Sequence, residues 1–176
     1  GNPSDHAVFI SHSSNVTLDG FVVTGGYADG SSNDYMGGGI YIYYCNSNVR
    51  VANCTVTENS CLTNAGGICC IRSDLTLYNS DIIYNRARKY DIGAILIADS
   101  TAIIERCMIL GNRAQRYAGG IYFSNNSSGR VVNCIFANNH ANDWGGALHI
   151  QNSSLLISNC TFSGNSSNAK GGGIFL

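Results

Sequence analysis

The chain is poor in charge, in proline and in long apolar runs, and each scarcity removes a class of function. Only 12% of its 176 residues are Asp, Glu, Lys or Arg, and the formal net charge is −1, so there is no basic footprint for nucleic acid or an anionic membrane surface. No apolar run approaches the ~20 residues of a membrane-spanning helix. No basic segment followed by an apolar one opens the chain, so a removed leader or a place inside a longer polypeptide is expected. Neither GxGxxG nor GxxxxGK[ST] leads into a helix, so the glycines are not a phosphate cradle. What remains is 21 Gly, a single Pro and 8 Cys, with Asn and Ser at about 20 each, a composition that makes the surface mostly uncharged and polar.

The glycines are ordered. A Gly-Gly-(Gly/Ala)-Ile tetrad recurs as Gly37–Ile40, Ala65–Ile68, Ile92–Ile95, Ala118–Ile121, Gly145–Leu148 and Gly171–Ile174, at steps of 26 to 28 residues. That period marks stacked units rather than one closed core. Half a repeat later an apolar residue is followed three positions on by Asn: Val56/Asn59, Ile82/Asn85, Ile109/Asn112, Phe136/Asn139 and Phe162/Asn165.

Between the two signals the pattern alternates with period 2, as in strands with one buried face. Ile40/Ile42, Ile68/Cys70, Ile95/Ile97, Ile121/Phe123, Leu148/Ile150 and Ile174/Leu176 face inward in a first strand; Val49/Val51, Leu75/Leu77, Ala102/Ile104 and Leu155/Ile157 in a second; Cys54/Val56, Ser80/Ile82, Cys107/Ile109, Cys134/Phe136 and Cys160/Phe162 in a third. Three short strands per coil predict an all-β parallel β-helix. It forms a single domain over 1–176, with about six coils starting near 8, 40, 68, 95, 121, 148 and 174. A loop at 27–36 protrudes from the first coil. In that coil the template places Val8/Ile10, Asn15/Thr17 and Gly20/Val22 inward. Asn53, Asn79, Asn133 and Asn159, with Arg106 and Asp19 in equivalent places, sit between the second and third strands. Asn tolerates left-handed backbone there and can bond from coil to coil.

These paired motifs resemble the GGA(I/L/V) and FxxN repeats of polymorphic outer-membrane proteins and, more widely, the pectin-lyase-like right-handed β-helix proteins of bacterial surfaces. Phe136–Asn139 and Phe162–Asn165 match FxxN in full, while earlier coils carry Val or Ile for Phe. The resemblance implies right-handed winding, secretion and a surface role, and no catalytic residues.

Cys54, Cys107, Cys134 and Cys160 share one inward position and read as a stacked row of small apolar side chains, with no metal or other cofactor called for. Cys45, Cys61 and Cys69 are expected near the surface of the second coil and are disulfide candidates in an oxidising compartment. Among the Asn-x-Ser/Thr sequons, Asn125, Asn126 and Asn152 are the exposed-turn glycosylation candidates. Outward positions of the first strand carry Tyr41, Tyr122 and His149, flanked by Tyr43 and, near the fifth coil, Trp144. This is a candidate glycan-stacking face, or else a set of residues that cover the sheet or pack against another chain, the reading that Leu96 and Phe175 in the same row favour. Asp29, Ser31, Asn33 and Asp34 offer oxygen ligands to Ca²⁺ in a spacing unlike an EF-hand. Arg86, Arg88, Lys89, Arg113 and Arg116 gather in the turns after two successive Asn signals, a patch for an anionic glycan or, more commonly, a solvated turn.

The function expected is a secreted or cell-surface structural or adhesive β-helix, non-catalytic, with a polysaccharide-binding or lyase-like β-helix as the alternative. Expected partners are further coils or copies of the chain, through Val8, Phe9 and Ile10 at one end and Ile174, Phe175 and Leu176 at the other, or glycans, or a host protein meeting the 27–36 loop.

Overall fold

The computed structural model describes residues 6–30, 36–89 and 92–176. Its strands form four parallel sheets in which each strand pairs with its equivalents one coil before and one coil after. The first sheet has seven strands, in spatial order Val8–Ser11, Ile40–Tyr43, Ile68–Ile71, Ile95–Ala98, Ile121–Ser124, Leu148–Ile150 and Ile174–Phe175. From the second strand onward, each begins at the last residue of a glycine tetrad. The second sheet runs from Thr17–Asp19 to Ser154–Ser158, and the third from Val22–Thr24 to Thr161–Ser163, six strands each.

The fourth sheet escapes the periodicity. Its two-residue strands, such as Ser60–Cys61, Arg86–Ala87, Arg113–Ala114 and His140–Ala141, follow each repeat Asn directly, and two residues are too few to display an alternation. They hold because the inward member is small: Ala28, Cys61, Ala87, Ala114 and Ala141 are all buried.

Inside, identical positions stack. Ile40, Ile68, Ile95, Ile121 and Leu148 form one column in register and are fully buried. Each such side chain contributes about 1.5–3 kcal/mol relative to exposure. Phe136 and Phe162 stack with ring centroids 4.8 Å apart and planes 7° from parallel. Inside the stack a tetrad glycine is required by close approach: a Cβ on Gly119 would lie 2.5 Å from both Gly146 O and His140 N, which no side chain tolerates.

Between the second and third sheets Asn53, Asn79, Arg106, Asn133 and Asn159 all take left-handed φ, 46° to 56°, as the sharp corner requires. The exposed ladder they were expected to form is short. Asn79 Nδ2 donates to Asn53 Oδ1 at 2.7 Å, and Asn53 Nδ2 to Asp19 Oδ1 at 2.8 Å. Arg106 then interrupts it, turning its guanidinium toward Glu105 at 3.8 Å.

The first coil corrects the sequence reading by one residue after Val8 and Ile10. Thr17 pairs with Arg50 and Val23 with Val56, so Val16, Leu18 and Val23 face the core, while Thr17 and Val22 are exposed. Gly20, φ 76°, holds the corner where Asp19 was placed. A slip of one residue exchanges the two faces of a strand, and the polar pattern of 15–20 is too weak to set its own register. Pairing with the strongly patterned Val49–Ala52 sets it instead.

Candidate functional site

The outer face of the first sheet is where the sequence offers either a glycan-stacking surface or a packing one. Tyr41, Cys69, Leu96, Tyr122, His149 and Phe175 do line up there in one column, one per coil. The face is closed, not open. Tyr41 is 1% exposed, His149 3% and Tyr122 8%, because the residues leading into each tetrad fold back over the sheet. Met36, Ala65, Ile92, Tyr117 and Ala118 form a second apolar cluster with the column. As a sugar-stacking surface Tyr41, Tyr122 and His149 are therefore corrected to buried packing residues. Their aromatic faces are used by other rings: His149 stacks on Tyr122 at 4.6 Å and meets Phe175 edge-on at 5.0 Å. Burial without a hydrogen-bond partner at Nδ1 lowers the His149 pKa to about 4.

Trp144 and Tyr43 remain half-exposed. Trp144 stacks on Tyr117 at 5.0 Å and on Phe175 at 5.5 Å; Tyr43 meets Tyr44 edge-on at 4.5 Å. The outer face keeps a groove of about 290 Å³, lined by Met36, Ile71, Leu96, Ala98, Tyr122 and Ser124 among others. Tyr122 donates its hydroxyl to Gln151 Oε1.

The cysteine readings divide. Cys54, Cys107 and Cys134 are buried in one inward row with Cys160 partly buried at its end, as the pattern predicts. The Cys107 thiol donates to the carbonyls of Leu77 and Glu105, and the Cys134 thiol to those of Ile104 and Val132. The neighbouring Cys134 thiol, and then burial, push the Cys107 thiol up. Cys45, Cys61 and Cys69 are corrected: all three are buried, and all eight cysteines are free thiols. Cys69 belongs to the covered outer face and Cys61 to the inward row of the fourth sheet, two elements invisible to a three-strand reading. Burial pushes the Cys69 thiol well up, and Cys70 to about 12.

Asp29 lies 3.4 Å from Arg88 Nη2, and Arg88 stacks over Tyr27 at 4.0 Å. This carboxylate is already engaged by a cation. Ser31, Asn33 and Asp34, the rest of the Ca²⁺ candidate, lie outside the described residues. Asn125, Asn126 and Asn152 are exposed at a turn, each with left-handed φ. Asn126 N–H donates to Asn152 O at 2.8 Å. At the two ends Phe9 and Leu176 are 56% and 81% exposed, while Ile10 is buried.

Sequence reasoning listed the FxxN asparagines but gave them no task. They form the main polar ladder, in the interior. Asn59, Asn85, Asn112 and Asn139 are buried, and each side-chain Nδ2 donates to the Oδ1 of the next, at 3.0–3.1 Å. A second buried row was missed: Ser73, Ser100 and Ser127, whose hydroxyl oxygens accept from the backbone N–H one coil back at 2.9–3.2 Å. Their recurrence at steps of 27 residues was the available signal.

Neither curated proteins nor solved structures gave a match to the chain. The family profile described as "Right handed beta helix region" matches residues 2–176. With that match and four parallel sheets wound coil upon coil, the chain belongs to the right-handed β-helix family.

Proposed function

We propose that this chain is a structural β-helix of an extracellular or cell-surface protein, a stiff rod whose coils continue end to end into further coils or further copies. The observation that carries the reading is the closed outer face. The column that in an open β-helix would meet a ligand is used here for self-packing, by Tyr41, Cys69, Leu96 and Tyr122 under their covering turns. Two apolar layers on either side of one sheet, with an internal Asn ladder, resist bending and local opening. The outer edges of Val8–Ser11 and Ile174–Phe175 offer main-chain groups in register for another strand, and a heterologous contact of this kind generates filaments.

Electron microscopy of the purified protein over a range of concentrations tests this. Filaments with an axial repeat of roughly 30 Å, six coils at ~4.8 Å, are the expected result; discrete particles at every concentration count against end-to-end growth of this chain.

A second reading is favoured by the groove around Leu96, Ala98 and Tyr122, which is apolar at its floor and has Asn64, Asp99 and Asn125 at its rim. It suits a glycan, with Tyr43 nearby as a stacking ring. Glycan-array binding that is lost in Tyr43→Ala supports that reading; an array without binders removes it.

A further inference from the structure

The fourth sheet carries a row with an unusual charge arrangement. In register across adjacent coils it reads Ser60, Arg86, Arg113, His140, Ser166. Two guanidinium-bearing residues thus stand on neighbouring strands, one strand spacing or ~4.8 Å apart at the backbone. Like charges placed opposite one another in a sheet are unfavourable.

Every other arginine has a partner. Arg72 pairs with Asp99, Arg88 with Asp29, Arg106 and Arg130 with Glu105, Arg116 with Asp143, and Arg50 lies over the Tyr78 ring. Among the described residues Arg86 and Arg113 alone have neither a carboxylate nor a ring. They open instead onto a shared groove of about 200 Å³, completed by Gln115, His140 and Asn142. Its far wall is held in place: His140 Nδ1 meets Ser166 Oγ at 2.9 Å and its Nε2 meets Asn142 Oδ1 at 3.2 Å, while Asn142 Nδ2 donates to Gln115 Oε1 at 2.8 Å.

We propose that this groove binds a tetrahedral oxyanion, a phosphate or sulfate group, between Arg86 and Arg113. Each guanidinium presents a planar fork that takes two oxygens. A carboxylate has only two oxygens and saturates one fork. A tetrahedral group has enough to serve forks on two strands at once, and it removes the repulsion between them. The site stands apart from the outer-face groove and does not depend on the structural role proposed above.

The test is a titration of the ¹⁵N-labelled chain with inorganic sulfate and inorganic phosphate, against sodium chloride at matched ionic strength. Two further arms use a sulfated and a phosphorylated monosaccharide, to separate the two sources of the group. Saturable shifts at the Arg86, Arg113 and Ala114 amides and the arginine Nε–H groups are expected. Arg86→Gln and Arg113→Gln should each weaken binding at least about tenfold, and Arg130→Gln on the second sheet should leave it unchanged. Amide spectra of the variants establish that they remain folded. Shifts that chloride reproduces, or that persist in the Arg86→Gln/Arg113→Gln double variant, overturn the proposal, as does the absence of binding in all four arms.

Discussion

The Oδ1 atom of Asn112 accepts two hydrogen bonds from Asn85 one coil earlier, from the backbone N–H at 2.8 Å and from the side-chain Nδ2 at 3.1 Å. Asn112 Nδ2 in turn donates to Ile82 O at 2.8 Å and to Asn139 Oδ1 at 3.0 Å. One buried amide thus satisfies a backbone donor and a backbone acceptor that the corner between the third and fourth sheets withdraws from the strand ladders.

Replacing Asn112 by Leu should therefore destabilise by about 2–4 kcal/mol, since a buried N–H and a buried carbonyl lose their partners together. The exposed ladder provides the contrast. Asn79→Gly keeps the left-handed backbone and removes only a solvent-exposed side-chain bond, so a change within about 1 kcal/mol is expected. Urea unfolding of both variants reads the difference, and equal losses would remove the distinction between inner and outer rows.

The glycine tetrads make a second contrast. Gly119→Ala places its Cβ against Gly146 O and His140 N, so a loss of at least about 2 kcal/mol, or failure to fold, is expected. A Cβ at Gly173 meets nothing within 4 Å. Gly173→Ala should stay within about 0.5 kcal/mol of the parent, measured by thermal unfolding.

His149 makes stability depend on pH in a defined window. Its folded-state pKa is lowered by burial from 6.5 to about 4, so between those values the unfolded chain binds the proton and the folded chain does not. The contribution is complete above about pH 6.5 and is lost as pH falls toward 4, by up to about 3 kcal/mol. In His149→Phe the urea midpoint should fall less between pH 7 and pH 4.5 than in the parent; an unchanged pH dependence would show that His149 is not the group responsible.

The thiols should be silent in the native protein. Seven of the eight are buried and Cys160 is partly so. Under mild labelling with a maleimide, mass spectrometry should find Cys160 modified first and the remaining seven only after denaturation. Early labelling at Cys45, Cys61 or Cys69 would restore the surface placement that the fold removes.

Much of this was legible beforehand because a solenoid writes its geometry locally. The tetrads and the FxxN signals keep phase because every coil solves the same problem, so strand order, the inward columns of Ile and Val, and the left-handed corners at Asn53 or Asn133 can be read from spacing. The first coil was misread by one residue where its own alternation fades. The two-residue fourth sheet was too short to show a period, so Cys61 could not be placed, and Arg86 and Arg113 were read only as a basic patch in two successive turns, not as paired strand residues.

The candidate site marks the boundary most sharply. Alternation reports only that Tyr41, Tyr122 and His149 point away from the first core. Whether outward means solvent depends on where Met36, Ile92, Tyr117 and Trp144 travel after leaving the previous strand, and a turn's path is set by backbone pairing with the coils above and below it. Period and phase are carried by the chemistry of each repeat. The closing of the outer face, the burial of the cysteines and the meeting of two arginines in one groove arise only when coils stack, because each is a relation between residues some 27 positions apart that pairing brings to one strand spacing.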